Sequence, residues 1–345
     1  MGYKFDTTQQ TTPSGNTGEA KALLYLLSFC DESDDITKFA IDCFNDVTGM
    51  GQSCEQLYDA QAKASTNLSP AKIGCDLVTL FKNYISDFSS YFKTYTLFLG
   101  GVSSSVRISD DLEEFYFDDM KPAAKSKVKD ALIEEIERRQ FDIPKNCNME
   151  NSVDSFLRVV RFVVMKKEMG GYIRPLIKAK TAIMPDESRL EDIFCNIRDM
   201  QSKYKNRQGI ANKTIFHPVE VEDYSRVLNR RKIELYVLQR FLNCNPIKDA
   251  LPAEYQDYLN GFDPADRQEI ELEARYGIGK QFLDKNNKEH FWPLLNNIVS
   301  ILEEKNDLTM KEVYSRIDPS ILAECQQLDR RSTLLFIAII KEGLM

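Results

Sequence analysis

The chain is short of the residues that most often build metal and nucleophile sites. Among its 345 residues there are two histidines, His217 and His290, and one tryptophan, Trp292. The eight cysteines, at positions 30, 43, 54, 75, 147, 195, 244 and 325, are scattered and include no C-x-x-C. A structural zinc site needs four clustered ligands, so zinc is not expected, and the cysteines read as free thiols buried in a reducing cytosol. A cysteine and histidine nucleophile pair has no local context to support it. Long apolar runs are missing too: the longest, from Leu334 to Ile340, is too short to cross a bilayer. The start, MGYKFDTTQQTTPSGNTG, has no apolar stretch behind a basic beginning, so it is expected to be a flexible lead and not a secretory signal. Asp6 stands where a myristoylation signal needs Ser or Thr. A cytoplasmic protein with no membrane attachment is the expectation.

What the chain does hold is an ordinary globular composition, 43% hydrophobic and 28% charged, at a length that suits two domains. The net charge of −8 argues against non-specific coating of nucleic acid. The charge is uneven, however. Between Arg158 and Arg240 eighteen Lys/Arg face ten Asp/Glu, about +8, which leaves about −16 elsewhere. Arg158, Arg161, Lys166, Lys167, Arg174, Lys178 and Lys180 are candidates to contact DNA or an acidic partner surface. The plainer account of such a run is a solvated helix face.

Read in order, Asn16 with Glu19 resembles a capping box ahead of the apolar helix from Ala20 to Leu27. Lys38 to Phe44 predicts a strand running into Asn45-Asp46, and Gly49-Met50-Gly51 a connection to a second strand, Leu57 to Ala64. On that strand Asp59, Gln61 and Lys63 share a face, which a dry core would penalise unless water, a metal or a ligand is at hand. Ser69-Pro70 starts a helix reaching to about Phe92, and Thr94 to Leu99 is a strand stopped by Gly100-Gly101. Residues 111–150 are an acidic link with a helix from Lys121 to Gln140. Beyond Val153 helical period prevails: Phe156 to Met165, Leu190 to Tyr204, Tyr224 to Leu242, Asp266 to Phe282, Phe291 to Leu302 and Ile321 to Leu344. Trp292 reads as a buried helix contact, with an interface anchor as the alternative. The expected division is a lead over 1–14, an α/β domain over 15–110, the link over 111–150, and a helical docking or DNA-contacting domain over 151–345.

Phosphodiester hydrolysis needs a divalent ion on hard oxygen ligands, an activated water, and a cation for the charge that builds on phosphorus. Asp46 and the Gln61 amide carbonyl suit the first need, with the Ala62 carbonyl completing the shell, and Lys63 suits the last. Glu19 on a first helix, Asp46 after a first strand and Gln61-Ala62-Lys63 on the next look like the PD-(D/E)xK nuclease superfamily, in its Gln-x-Lys variant. The arrangement is similar to the endonuclease domain of bacterial anti-phage effectors of CBASS and Lamassu type, over roughly residues 15 to 105. The resemblance implies an α/β restriction-endonuclease-like core followed by a mostly α-helical domain. It also implies Mg²⁺-dependent (or Mn²⁺-dependent) cleavage of double-stranded DNA, with Asp46 and Gln61 as metal ligands, Lys63 as catalytic lysine and Glu19 as a helix-borne acidic partner. Asp42 rivals Asp46 as the ligand. An SMC-like ATPase or other defence-complex subunit, or further copies of the chain, are the implied protein partners. The alternative is a nuclease fold without catalysis, serving as a docking module.

Overall fold

The computed structural model describes residues 2–5, 13–140, 148–207, 209–243, 245–284, 288–305 and 307–344. The chain folds as two units, residues 1–173 with 190–230, and residues 174–189 with 231–345.

The first unit is α/β. Its elements are β1 (Tyr3–Lys4), α1 (Pro13–Ser28), β2 (Lys38–Ile41), β3 (Val47–Met50), β4 (Leu57–Lys63), α2 (Pro70–Asp76), α3 (Val78–Ile85), β5 (Phe92–Leu99), β6 (Glu114–Tyr116), α4 (Pro122–Arg139), α5 (Met149–Val159), β7 (Val160–Val164), α6 (Met169–Ile173), α7 (Glu187–Lys205), β8 (Thr214–Ile215) and β9 (Val227–Asn229). Seven strands form one mixed sheet in the order β6-β7-β5-β4-β3-β2-β9. β2, β3 and β4 are an antiparallel meander, β5 joins β4 in parallel after α2 and α3, and β7 joins β5 in parallel. A parallel neighbour requires a crossover, which α2 and α3 supply. α1 packs against β3, β4 and β5, and α3 packs against β4 and β5. From Ala22 to Leu27 every residue of α1 is buried, so this helix is apolar nearly all round, as a helix covered on several sides must be.

Several expectations change. Glu19 does not cap a helix: α1 begins at Pro13, which places Asn16 and Glu19 inside it. The connection at Gly49 is strand β3, buried along its whole length. There a Cβ on residue 49 would come within 2.8 Å of Ile36 Cδ1, so glycine marks a close approach within a strand and not a turn. The helix expected from Phe156 to Met165 ends at Val159, and Val160-Arg161-Phe162-Val163-Val164 is strand β7, buried throughout. A short run covered on both faces carries no period, so the sequence alone does not separate strand from helix there. The start of the Tyr224 to Leu242 segment is edge strand β9, and the acidic link contributes edge strand β6. The sheet therefore reaches past residue 110, and residues 151–173 and 190–230 belong with it. The lead is also partly ordered: β1 pairs with β8, and Tyr3 and Phe5 are buried. Residues 6–12 lie outside the described residues.

The second unit is helical: α8 (Arg230–Phe241), α9 (Ala253–Leu259), α10 (Pro264–Leu283), α11 (Phe291–Glu304), α12 (Met310–Arg316), α13 (Pro319–Glu324) and α14 (Arg330–Leu344). Its centre is aromatic. Phe291 lies 4.3 Å from Phe282 and 4.7 Å from Phe336, ring centre to ring centre, and Trp292 stacks edge-on with Phe241, as a core contact. The six cysteines among the described residues are free thiols, and Cys147 and Cys244 lie outside those residues. No described helix is long and apolar enough to cross a membrane.

Candidate functional site

The meander delivers the site. The chain leaves β2 through a tight reversal, with Asp42 at φ 52°, and returns as β3, so Asp46 stands at the mouth of β3 beside the far end of β4. Asp46 Oδ2 accepts from Gln61 Nε2 at 2.5 Å and from the Ala62 backbone N–H at 2.8 Å. Burial pushes the Asp46 carboxyl up, opposed first by the nearby positive charge of Lys63. Gln61 is buried, and its Oε1 accepts from the Thr79 hydroxyl of α3 at 3.0 Å. Because a hydroxyl both donates and accepts, turning the Gln61 amide over would present its carbonyl on the Asp46 side while Thr79 accepts from the nitrogen.

Glu19 reaches this cluster from α1 and is 4% exposed. Burial, followed by the charge of Asp46, raises its carboxyl to about 7 even though Lys205 opposes the shift. Lys205 Nζ donates to Glu19 Oε1 at 2.9 Å and lies 3.9 Å from Asp42 Oδ1. Asp42 is committed elsewhere. Its Oδ2 accepts from Arg226 at 2.9 Å, so it is part of an ion-pair network that includes Lys205. Asp46, not Asp42, is the carboxylate in contact with Gln61 and Ala62.

Asp59 shares the β4 face with Gln61 but has its own solution to burial. It has no exposed surface, and it accepts from Asn45 Nδ2 at 2.5 Å, Thr48 Oγ1 at 2.8 Å and Asn83 Nδ2 at 2.7 Å. Burial still raises its carboxyl to about 6. The expectation that this face needs water, metal or ligand is thus met at Asp59 by in-chain donors. Tyr3 extends the network, donating to Asn83 Oδ1 at 2.7 Å.

The seven basic candidates are divided between the two units, four in the first and three in the second. Arg161 is buried in β7, where it pairs with Glu32 at 3.2 Å and Glu114 at 3.1 Å, and so has no free guanidinium to offer a phosphate. Lys167 pairs with Glu113 at 2.8 Å, and Lys166 donates to the Asp110 carbonyl. Arg158 is exposed on α5. Arg174, Lys178 and Lys180 belong to the helical unit, bonded to Glu187, Glu289 and Ser300 in turn.

The donors available to a metal are oxygens: the carboxylates of Asp46 and Glu19, the Gln61 amide and the Ala62 carbonyl. Among the described residues no three His, Cys, Asp or Glu side chains gather to hold an ion. The oxygen donors would suit Mg²⁺ or Mn²⁺ better than a softer metal. Lys205, Arg226 and Thr79 went unrecognised in the sequence. No family model, curated protein or solved structure matches the chain.

Proposed function

We propose that the first unit is a metal-dependent endonuclease domain that hydrolyses DNA phosphodiesters, acting as the effector of a bacterial defence assembly. The observation that carries this reading is the junction of Asp46 with Gln61 and Ala62, beside the charge of Lys63 and the buried carboxylate of Glu19. The order of elements is compatible with it: a helix, a three-strand meander that brings Asp46 beside Gln61, a helical crossover and a parallel strand make an α/β core, with β3 standing where the resemblance had only a connection.

Asp46 and the turned-over Gln61 amide would hold the ion, with Glu19 as the second acidic group. When bound, a divalent ion supplies Lewis-acid polarisation of the phosphoryl oxygen and a water of lowered pKa. The remaining work falls to the chain. Lys63 carries an ammonium whose charge acts on Asp46, and it would orient the attacking water or meet the charge that grows on phosphorus. Asp59 and its donors fix β4 against α3, and with it the positions of Gln61 and Lys63.

Plasmid nicking in Mg²⁺ or Mn²⁺, paired with calorimetry of Mn²⁺ binding, tests this reading. Lys63→Ala is expected to retain metal binding and fold while losing about a hundredfold or more in nicking. Nicking unchanged in that variant refutes it. A second reading, a docking module without catalysis, draws on one observation: Lys205 already supplies a cation to Glu19. It expects no Mn²⁺ binding by the wild-type chain.

A further inference from the structure

Helix α10 is apolar on two opposite faces. One face, with Ile270, Ala274 and Ile278, is buried and packs on α14. The crossing is so close that a Cβ on Gly277 would come within 2.2 Å of Ser332 Oγ. The opposite face carries Leu272 and Tyr276, 60% and 66% exposed, at a spacing of one helical turn, and it borders a groove of about 670 Å³ lined also by Ile247 and Gly279. Here the two large apolar side chains adjoin each other and the groove, and contiguous exposed apolar surface of this kind is where contacts form.

The charges on the same helix identify the occupant. From residue 267 to residue 280 most charged side chains are satisfied within the chain: Arg267 by Asn260, Glu271 by Arg275 and Glu273 by Arg331. Glu269 and Lys280 differ. Both are exposed and neither has an ion-pair partner among the described residues; Lys280 only lies over the Tyr276 ring at 4.5 Å. Glu269, Leu272, Tyr276 and Lys280 fall on one stripe, acidic at one end and basic at the other, about 16 Å apart along the axis. Such a stripe complements itself when a second helix lies against it in the opposite direction. Leu272 of each copy then faces Tyr276 of the other, and Glu269 of each copy faces Lys280 of the other, an isologous contact related by a two-fold axis. We infer that the chain forms a homodimer through this outer stripe of α10, paired antiparallel with its copy.

Sedimentation of the full chain over a wide range of concentrations tests this. The wild type is expected to pass from monomer to dimer, and Leu272→Glu to stay monomeric, with a melting temperature equal to that of the wild type at concentrations where the wild type is also monomeric, since the side chain it replaces is exposed. Glu269→Lys and Lys280→Glu each place like charges together twice per dimer, and each alone is expected to weaken dimerisation by about tenfold. The double swap restores opposite charges and is expected to recover most of that loss. A wild type that stays monomeric throughout, as it would if the stripe received a different protein, overturns the inference. So does a double swap no better than the single variants, because only the antiparallel pairing brings those two positions together.

Discussion

Lys205 Nζ lies 2.9 Å from Glu19 Oε1 across 186 positions of sequence, with both side chains under a tenth exposed. Burying either charge alone is costly, so each makes the other tolerable. Lys205→Met is expected to lower stability by about 3 kcal/mol at about pH 8. The Glu19 carboxyl already stands raised to about 7, and without the ammonium it rises further. At about pH 5.5 the carboxyl then carries a proton and the loss shrinks. Urea melts at the two pH values check this, and a loss independent of pH would mean that Lys205 acts by packing alone.

A second titration lies in the core. The Asp59 carboxyl is raised to about 6 from an ordinary 3.8, so the folded chain binds more protons than the unfolded chain between those values. Its contribution is therefore greatest below about pH 4 and is lost as pH climbs through about 6. Asp59→Asn removes this titration while leaving one acceptor for three donors. The stability difference between wild type and Asp59→Asn is expected to narrow by about 2 kcal/mol from about pH 4 to pH 7. Comparing the two proteins at each pH cancels the titration of other groups.

Two of the meander's three strands were legible because their signals are local, whereas β3, with Gly49 inside it, read as a connection. The strand around Lys38 to Ile41, the strand ending in Lys63, the Ser69-Pro70 helix start and the strand up to Leu99 each announce themselves within a few residues. β7 and β9 were not, because a five-residue apolar run and a three-residue edge strand acquire their state from the neighbours they pair with. Lys205 was hidden by distance, yet α7 carries a faint sign of it. Leu190, Ile193, Phe194, Ile197, Gln201, Tyr204 and Lys205 are all buried at helical spacing, so a glutamine and a lysine occupy core positions of an amphipathic helix. A buried lysine at such a position implies a carboxylate opposite it.

Arg161 is charge committed to holding the fold. Its guanidinium bridges Glu32 and Glu114 and meets the Tyr25 hydroxyl at 3.4 Å. Arg161→Met is expected to cost about 2 kcal/mol, discounted for the partial exposure of both acids, and to leave the salt dependence of DNA binding unchanged. A shallower salt slope in that variant would place Arg161 on the phosphate backbone after all.

The amide at position 61 is the sharpest probe of the proposed metal. In wild type Gln61 Nε2 donates to Asp46 Oδ2 at 2.5 Å, so the two side chains attract with no ion between them. Gln61→Glu replaces that donor by a second carboxylate, and two like charges at such a distance oppose folding unless one takes a proton or a cation joins them. The variant is expected to melt several degrees below wild type in chelator and to regain most of the loss in excess Mn²⁺. Wild type is expected to gain less, because it starts without that repulsion. Binding to the folded state alone raises stability as the logarithm of ligand concentration, so the gain should climb steadily as Mn²⁺ is raised. If Mn²⁺ stabilises both proteins equally, or neither, Asp46 and residue 61 do not share an ion, and the docking-module reading takes precedence.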